Sequence, residues 1–204
     1  MPIFSPAPLF LASSSPRRAQ LLTDLGFEFT VWDAPLCAVD ETPMFNEHPL
    51  QLVARLAQAK AMCALGSPDL PADAVVLAGD TVVVHAGHIL GKPRDRDDAQ
   101  AMLEQLNGNT HRVSTAIAVA NTARCRVVSV TTNVTLVLLT AQQIRAYVAT
   151  GEPLDKAGAY ALQGKAAQFV QHIDGSWGAV VGLPQCETTH LLAEFSILPT
   201  WLKP

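Results

Sequence analysis

The sequence predicts an α/β protein, and three stretches carry that prediction. Leu9-Phe10-Leu11-Ala12 is a short apolar run that breaks at Ser13-Ser14-Ser15-Pro16 into a helical pattern, a strand–turn–helix unit. Val75–Val84 is an apolar, β-branched run of the kind buried on both faces of a sheet. Val113–Asn121 and Arg124–Leu139 read as two long strands joined by a tight turn near Thr122-Ala123. Helical patterns fall between these strands, and that alternation marks the class. A chain of 204 residues suits one domain, with or without two lobes, and is long enough for a large core.

Composition narrows the function classes. Hydrophobic residues make up 49% of the chain and the formal net charge is −4, which argues against a nucleic-acid polymer held by bulk electrostatics. A local anion site stays open. Cys37, Cys63, Cys125 and Cys186 stand far apart with no C-x-x-C pair, so reduced thiols in a cytoplasmic protein are expected. Met1–Phe10 carries no basic residue and is broken by prolines, so no signal peptide is expected. No apolar stretch approaches a membrane span.

In chain order, Ser15 stands as a natural N-cap, Pro16 as a first helical residue and Gly26 as a stop. A helix N-terminus presents free N–H groups and a positive dipole end, and Ser13, Ser15, Arg17 and Arg18 gather there. The combination reads as a phosphate site, because capping alone needs neither three serines nor paired guanidiniums. Glu28–Trp32 reads as a second strand and Asp33–Phe45 as irregular, with Asp40-Glu41 on its loop. Pro49–Leu65 is a helix stopped at Gly66. Lys60 falls on its apolar stripe with Val53 and Leu56, so its ammonium either aims at an acid or a phosphate or snorkels to water from the stripe's edge, and the first reading is favoured.

Asp80 sits inside the Val75–Val84 run, where an ionised carboxylate costs several kcal/mol unless paired. It reads as a structural acid or as a group kept for chemistry, and Gly79 beside it admits a bend or a close approach. His85–His88 is a hairpin turn whose histidines either face water, the favoured reading, or form a metal site. Gly91-Lys92-Pro93 holds one cation between a flexible and a rigid neighbour. The upstream glycine and following Ser/Thr of a P-loop are missing there. Asp95–Leu106 is a helix with an acidic start, and Thr140-x-x-Gln143 is a capping box opening a helix to Thr150 with Gly151 as its stop. Gly151–Gly164 is a shaped loop in which Gln163 can show both ends of its amide to a planar ligand edge. Phe169–Ile173 reads as a strand, Asp174–Gly182 as a turn region and Pro184–Phe195 as a final helix. Together these features point to an enzyme that handles a small phosphorylated molecule with a divalent metal.

Leu11–Arg18, Gly79–Val82, Ile89–Pro93, Gly151–Tyr160, Leu162–Gly164 and Val181–Pro184 resemble, in order and with natural spacing, the Maf family. These are nucleotide pyrophosphatases once described as septum-formation inhibitors. The resemblance implies an elongated mixed β-sheet flanked by helices, with a cleft between two lobes of a single domain over residues 1–204, similar to the inosine-triphosphate pyrophosphatases. It implies a cytoplasmic enzyme, in many members a homodimer, that cleaves a nucleoside triphosphate to the monophosphate and pyrophosphate. By the same resemblance Asp80 is the proton acceptor or a metal ligand, and Glu41 acts with the metal, Mg2+ or Mn2+. Lys60 and Lys92 match phosphate-side lysines, while Arg17, Thr81 and Gln163 match substrate-discriminating positions. That combination looks like the branch acting on dTTP and UTP, where modified pyrimidine nucleotides are further candidates. The sister branch, acting on 7-methyl-GTP, shows an aromatic, Gln and Glu there. A regulator that senses nucleotides in cell division without turnover is the rival of a different class. A buried acid does little for simple triphosphate binding, so Asp80 favours the enzyme.

Overall fold

The computed structural model describes residues 7–32 and 39–203, so Pro35 and Cys37 lie outside the described residues. The strands are β1 (Leu9–Ala12), β2 (Thr30–Val31), β3 (Val75–His85), β4 (His88–Leu90), β5 (Thr110–Ala120), β6 (Cys125–Leu136) and β7 (Val170–Asp174). The helices are α1 (Pro16–Asp24), α2 (Pro49–Leu65), α3 (Arg96–Leu106), α4 (Ala141–Ala149), α5 (Trp177–Val181) and α6 (Gln185–Glu194). Among the described residues the strands form one mixed sheet in the order β2-β1-β3-β5-β6-β7, with β4 paired to β3. β1 runs parallel to β2 and to β3, whereas β4 lies antiparallel to β3 and β7 antiparallel to β6. The α/β class is therefore as expected.

The chain divides into two compact units, one of Met1–Asp80, Thr115–Ser129 and Gly182–Pro204, the other of Thr81–Ser114 and Val130–Val181. In the first, α1 buries Leu21 and Leu22, and α2 buries Leu52, Val53, Leu56 and Ala57. Truncating any of these leucines to Ala should cost about 2–5 kcal/mol, the usual range for a close-packed core. α2 begins where expected because the His48 imidazole accepts from Leu50 N–H (3.3 Å) and the Gln51 side chain accepts from His48 N–H (3.2 Å). Leu9 and Leu11 of β1 face Val75 and Leu77 of β3 in register, so the strand that leads to Asp80 is paired along its buried half.

In the second unit, α3 and α4 supply Leu103, Leu106, Ile144 and Tyr147 to an apolar cluster with Val113, Val134 and Phe169. The β3–β4 hairpin closes on the pair His85 and His88, with Ala86 at φ 48° and Gly87 at φ 83°. Positive φ at both central residues is the turn whose twist matches its strands. The Thr140–Gln143 capping box is formed as the sequence implies. Thr110 bonds Thr135 (2.8 Å) and Ser114 bonds Thr131 (3.0 Å), the cross-strand pattern of antiparallel neighbours.

Four expectations are corrected. The second strand shrinks to two exposed residues, Thr30–Val31. β6 stops at Leu136 because the Asn107 amide takes both backbone groups of Leu139, at 2.7 and 2.9 Å, in place of a ladder partner. The Asp174–Gly182 turn holds the short helix α5, opened by Ser176, whose hydroxyl accepts from Ala179 N–H (3.2 Å). Cys125 and Cys186 are free thiols, but Cys63 is disulfide-bonded. Cysteines distant in sequence leave no spacing motif when they meet in space.

Candidate active site

The site in the first unit is built from a helix lysine and a strand acid. Lys60, four residues after the buried Leu56 on the stripe of α2, places its ammonium 2.7 Å from Asp80 Oδ1 on β3. The same ammonium meets Glu41 Oε1 at 2.6 Å, so one cation gathers two carboxylates. Exposure grades across the cluster, with side chains 13% accessible at Asp80, 24% at Lys60 and 62% at Glu41. Asp80 is thus paired within the protein while its neighbour Glu41 stands in water. The stripe position of Lys60 does what a lysine there must do.

Glu41 reaches Lys60 because its loop is pinned to α2. Arg55 donates from Nε to Glu47 Oε1 (2.7 Å) and from Nη2 to Glu47 Oε2 (2.9 Å). It also donates to the Asp40 carbonyl (3.3 Å) and the Thr42 carbonyl (3.1 Å), on either side of Glu41. Within the loop, Glu47 Oε2 accepts from Met44 N–H (3.0 Å) and Asp40 Oδ1 from Thr42 N–H (2.9 Å). The Arg55 guanidinium and the Met44 amide hold the Glu47 carboxyl down at about 2, well below the usual range. Neither Arg55 nor Glu47 was legible as functional, since a pair eight residues apart across a helix start follows no periodicity.

Gly79 explains itself by close approach. A Cβ there would lie 3.0 Å from the Ala116 carbonyl oxygen and 3.2 Å from Arg18 Nε. Arg18 itself points inward, donating from Nε to the Gly182 carbonyl (2.8 Å) and from Nη1 to Ser13 Oγ (3.1 Å). Burial holds this guanidinium below the ordinary arginine range, while Asp80 and Glu41 pull it back up and Arg17 opposes them. It remains a cation, with Nε and Nη1 both engaged by the protein itself.

The β1–α1 turn differs from the expected anion cradle in one respect. Ser15 occupies the N-cap but its hydroxyl makes no capping bond, and its N–H instead donates to Ser13 Oγ (3.3 Å). Ser13 Oγ therefore accepts twice, fixing the turn, and Arg17 stays half-buried on the first turn of α1. The structure brings together Ser13, Arg18, Glu41, Lys60 and Asp80.

The second unit holds the other expected residues. Thr81 follows Asp80 on β3 and is half-buried. Lys92 is exposed between Gly91, whose carbonyl accepts from Gly158 N–H (3.1 Å), and the buried Pro93. Gln163 is exposed, on a segment flanked by short 3-10 turns at Ala157–Ala159 and Lys165–Phe169. Lys156 was missed as a candidate; its side chain is only 14% accessible and it pairs with Asp155. His85 was expected to face water, but its Nδ1 and that of His111 are buried without a hydrogen-bond partner. Among the described residues no group of three His, Cys, Asp or Glu side chains is placed to hold a metal, and no helix is long and apolar enough to cross a membrane.

Comparison with known proteins agrees with the motifs. A Maf-like protein family model matches residues 8–195. A dTTP/UTP pyrophosphatase of Salmonella typhimurium is 48% identical over 190 residues, 93% of this chain and 94% of that protein. Proteins of the same name from Pseudoalteromonas atlantica and Pasteurella multocida are 46% and 43% identical, covering 93% and 92% of this chain and 97% and 96% of theirs. Among solved structures, that of the Staphylococcus aureus Ham1 protein matches at 13% identity with a TM-score of 0.48, over 93% of this chain and 97% of that one. With a family model spanning nearly the whole chain and relatives this similar along their full length, the chain belongs to the Maf family.

Proposed function

We propose that this chain is a nucleoside triphosphate pyrophosphatase that cleaves dTTP and UTP to the monophosphate and pyrophosphate in the cytoplasm. The observation that carries the reading is the ammonium of Lys60 held between Asp80 and Glu41. Full-length relatives named dTTP/UTP pyrophosphatase support the substrate class. Asp80 takes the proton of the attacking water as its oxygen bonds to phosphorus, and the P–O bond to the departing pyrophosphate breaks. Lys60 opposes the charge of Asp80 and offers its cation to phosphate oxygens. Arg17 and Lys92 supply further positive charge, and Gln163 with Thr81 reads the base.

The residues present fit a divalent metal. Two carboxylates already share one positive centre, and Mg2+ needs only one or two of them when substrate phosphates complete its shell. Asp80 and Glu41 would hold it (Mn2+ suits the same oxygens), and when bound it supplies neutralisation of phosphate charge.

Uracil and thymine present acceptor–donor–acceptor along the imide edge, which an amide matches with a donor and an acceptor at once. Cytosine alters that pattern. Pyrophosphate release from dTTP, UTP, CTP, GTP and 7-methyl-GTP, with and without Mg2+, tests the reading. dTTP and UTP should turn over best and only with metal. A preference for 7-methyl-GTP, or binding of nucleotide with no release, would overturn it.

A further inference from the structure

The segment that carries Gln163 is suspended from two side chains. Ala161 N–H donates to the Tyr147 hydroxyl oxygen (3.2 Å), and that hydroxyl donates to Glu152 Oε1 (3.0 Å). On the far side of Gln163, Lys165 N–H donates to Glu152 Oε2 (3.1 Å), and Ala166 N–H reaches Oε1 at 3.5 Å. The Lys165 ammonium stands 3.6 Å from the same carboxylate. Gly164 lies flat on it: a Cβ there would come 2.5 Å from Glu152 Cδ, so any side chain would push the carboxylate off its amides. Backbone amides on both sides of Gln163 are thus fixed while its side chain stays exposed.

The anchor is itself rigid. The Tyr147 ring is 2% accessible and meets Phe169 edge-on, with centroids 5.4 Å apart at 88°. Burial and the charge of Glu152 push the Tyr147 hydroxyl up, so it keeps its proton and remains a donor. Burial raises the Glu152 carboxyl, but the Lys165 and Ala166 amides, the Tyr147 hydroxyl and Lys165 outweigh it and hold it below the usual range. A carboxylate is the acceptor this arrangement needs, because it takes three donors and offers none.

We propose that Tyr147 and Glu152 are positioning residues for base selection, holding the backbone of Gln163 so that its amide meets one hydrogen-bonding edge and no other. The proposal rests on Gln163 being the base reader. An amide on a loose loop reorients to suit a wrong base, whereas one on a fixed backbone leaves a wrong base unpaired.

The test uses the whole protein and the variants Glu152→Gln, Tyr147→Phe and Gln163→Ala, with kcat and KM for dTTP, UTP and CTP and a melting curve for each. Glu152→Gln keeps the shape but turns one acceptor oxygen into a donor facing amide N–H groups. The preference for dTTP over CTP should fall about tenfold, the discrimination of one well-made hydrogen bond. KM for dTTP should rise by more than kcat falls. Tyr147→Phe should move the same ratio in the same direction, which keeps the test alive if Glu152→Gln fails to fold. Combined with Gln163→Ala, either variant should lose no further selectivity, because all act through one amide. A lowered Tm with the wild-type dTTP-to-CTP ratio would make both residues merely structural and overturn the proposal. Selectivity losses that multiply in the double variant would do the same. Wild type without any preference for dTTP and UTP over CTP would instead refute the reading of Gln163, and the proposal with it.

Discussion

The loops that carry Glu41 and Gln163 are each pinned by a glutamate, and the two pins work by different physics. Glu47 is held by a guanidinium, a charge pair over a loop whose residues 41–46 are all exposed. Glu152 is held chiefly by neutral donors, two amides and a phenol, around a half-buried carboxylate. A charge pair tolerates small shifts of geometry and weakens with salt; hydrogen bonds from neutral donors to a carboxylate depend less on salt and fail when their shape changes. The first suits a loop whose acid must meet a cation. The second suits a loop that must present one amide in one orientation. The comparison teaches that chemistry and selectivity are supported separately, and each support can be broken by itself.

The largest effect should come from the group that the first loop serves. Asp80→Asn keeps shape and removes charge, so turnover should fall ~10²–10⁴ with folding retained. Circular dichroism and pyrophosphate release measure this together, and activity within a few-fold of wild type would remove Asp80 from the chemistry. Next comes Gln163→Glu, which replaces a donor with a second acceptor and should lower kcat/KM for dTTP and UTP by about 10²-fold, from the unpaired polar groups it leaves. GTP should be affected less, and equal loss on every nucleotide would mean Gln163 does not read the base. Arg55→Ala should be milder, about tenfold in turnover, in line with loss of a charge-assisted pair. Its base preference should not move. Arg55→Lys should recover only part, because a point ammonium cannot repeat the forked contact with Glu47, and a changed dTTP-to-CTP ratio in Arg55→Ala would erase the division between the two pins.

The smallest effect on activity, and the one that probes the second unit's core alone, is in pH. Burial, with a lesser contribution from His85, pushes His111 down to about 4 from 6.5, while its Nε2 pairs with the Tyr160 hydroxyl at 2.8 Å. The unfolded chain therefore takes the proton first as pH falls. The stability that follows is whole above the unfolded pKa and is lost toward pH 4, up to ~3 kcal/mol in all. Urea unfolding from pH 7 to 4 should show that slope in wild type and a flatter one in His111→Gln. Equal slopes would place the titration elsewhere.

How much could be read from the residues divides along the same physical line. Local signals were legible. Pro49–Leu65 and the Thr140 box stand where their caps and stops put them, and Lys60 points at an acid because a lysine on an apolar stripe has few other choices. Gly79 was read as allowing a bend or a close approach, and the approach is that of Arg18. Pairings between distant segments were not legible. Arg18 turns to Gly182 across 164 residues, and Tyr147 looks like any other residue of the α4 stripe until its hydroxyl is seen to carry a loop. Ser15 shows the opposite failure, a correct position without the bond that the position predicts. For Lys92 and Gln163 the motif gives a place on a loop, and direction depends on neighbours that no spacing encodes.

Asp80 and Thr81 are joined by one peptide bond, yet they fall in different compact units, and so do Ser114 and Thr115, Ser129 and Val130, and Val181 and Gly182. Neither unit is a continuous piece of chain. In hereditary terms, however, the Gln163 loop and its supports, Tyr147 to Phe169, fall in one unbroken stretch of chain. Ser13, Arg18, Glu41, Lys60 and Asp80 all lie before it, so one exchanged segment can replace the loop and leave that cluster in place. A lineage can therefore change its preferred base by trading that stretch as a block, in which Glu152 and Gly164 travel with the amide they hold.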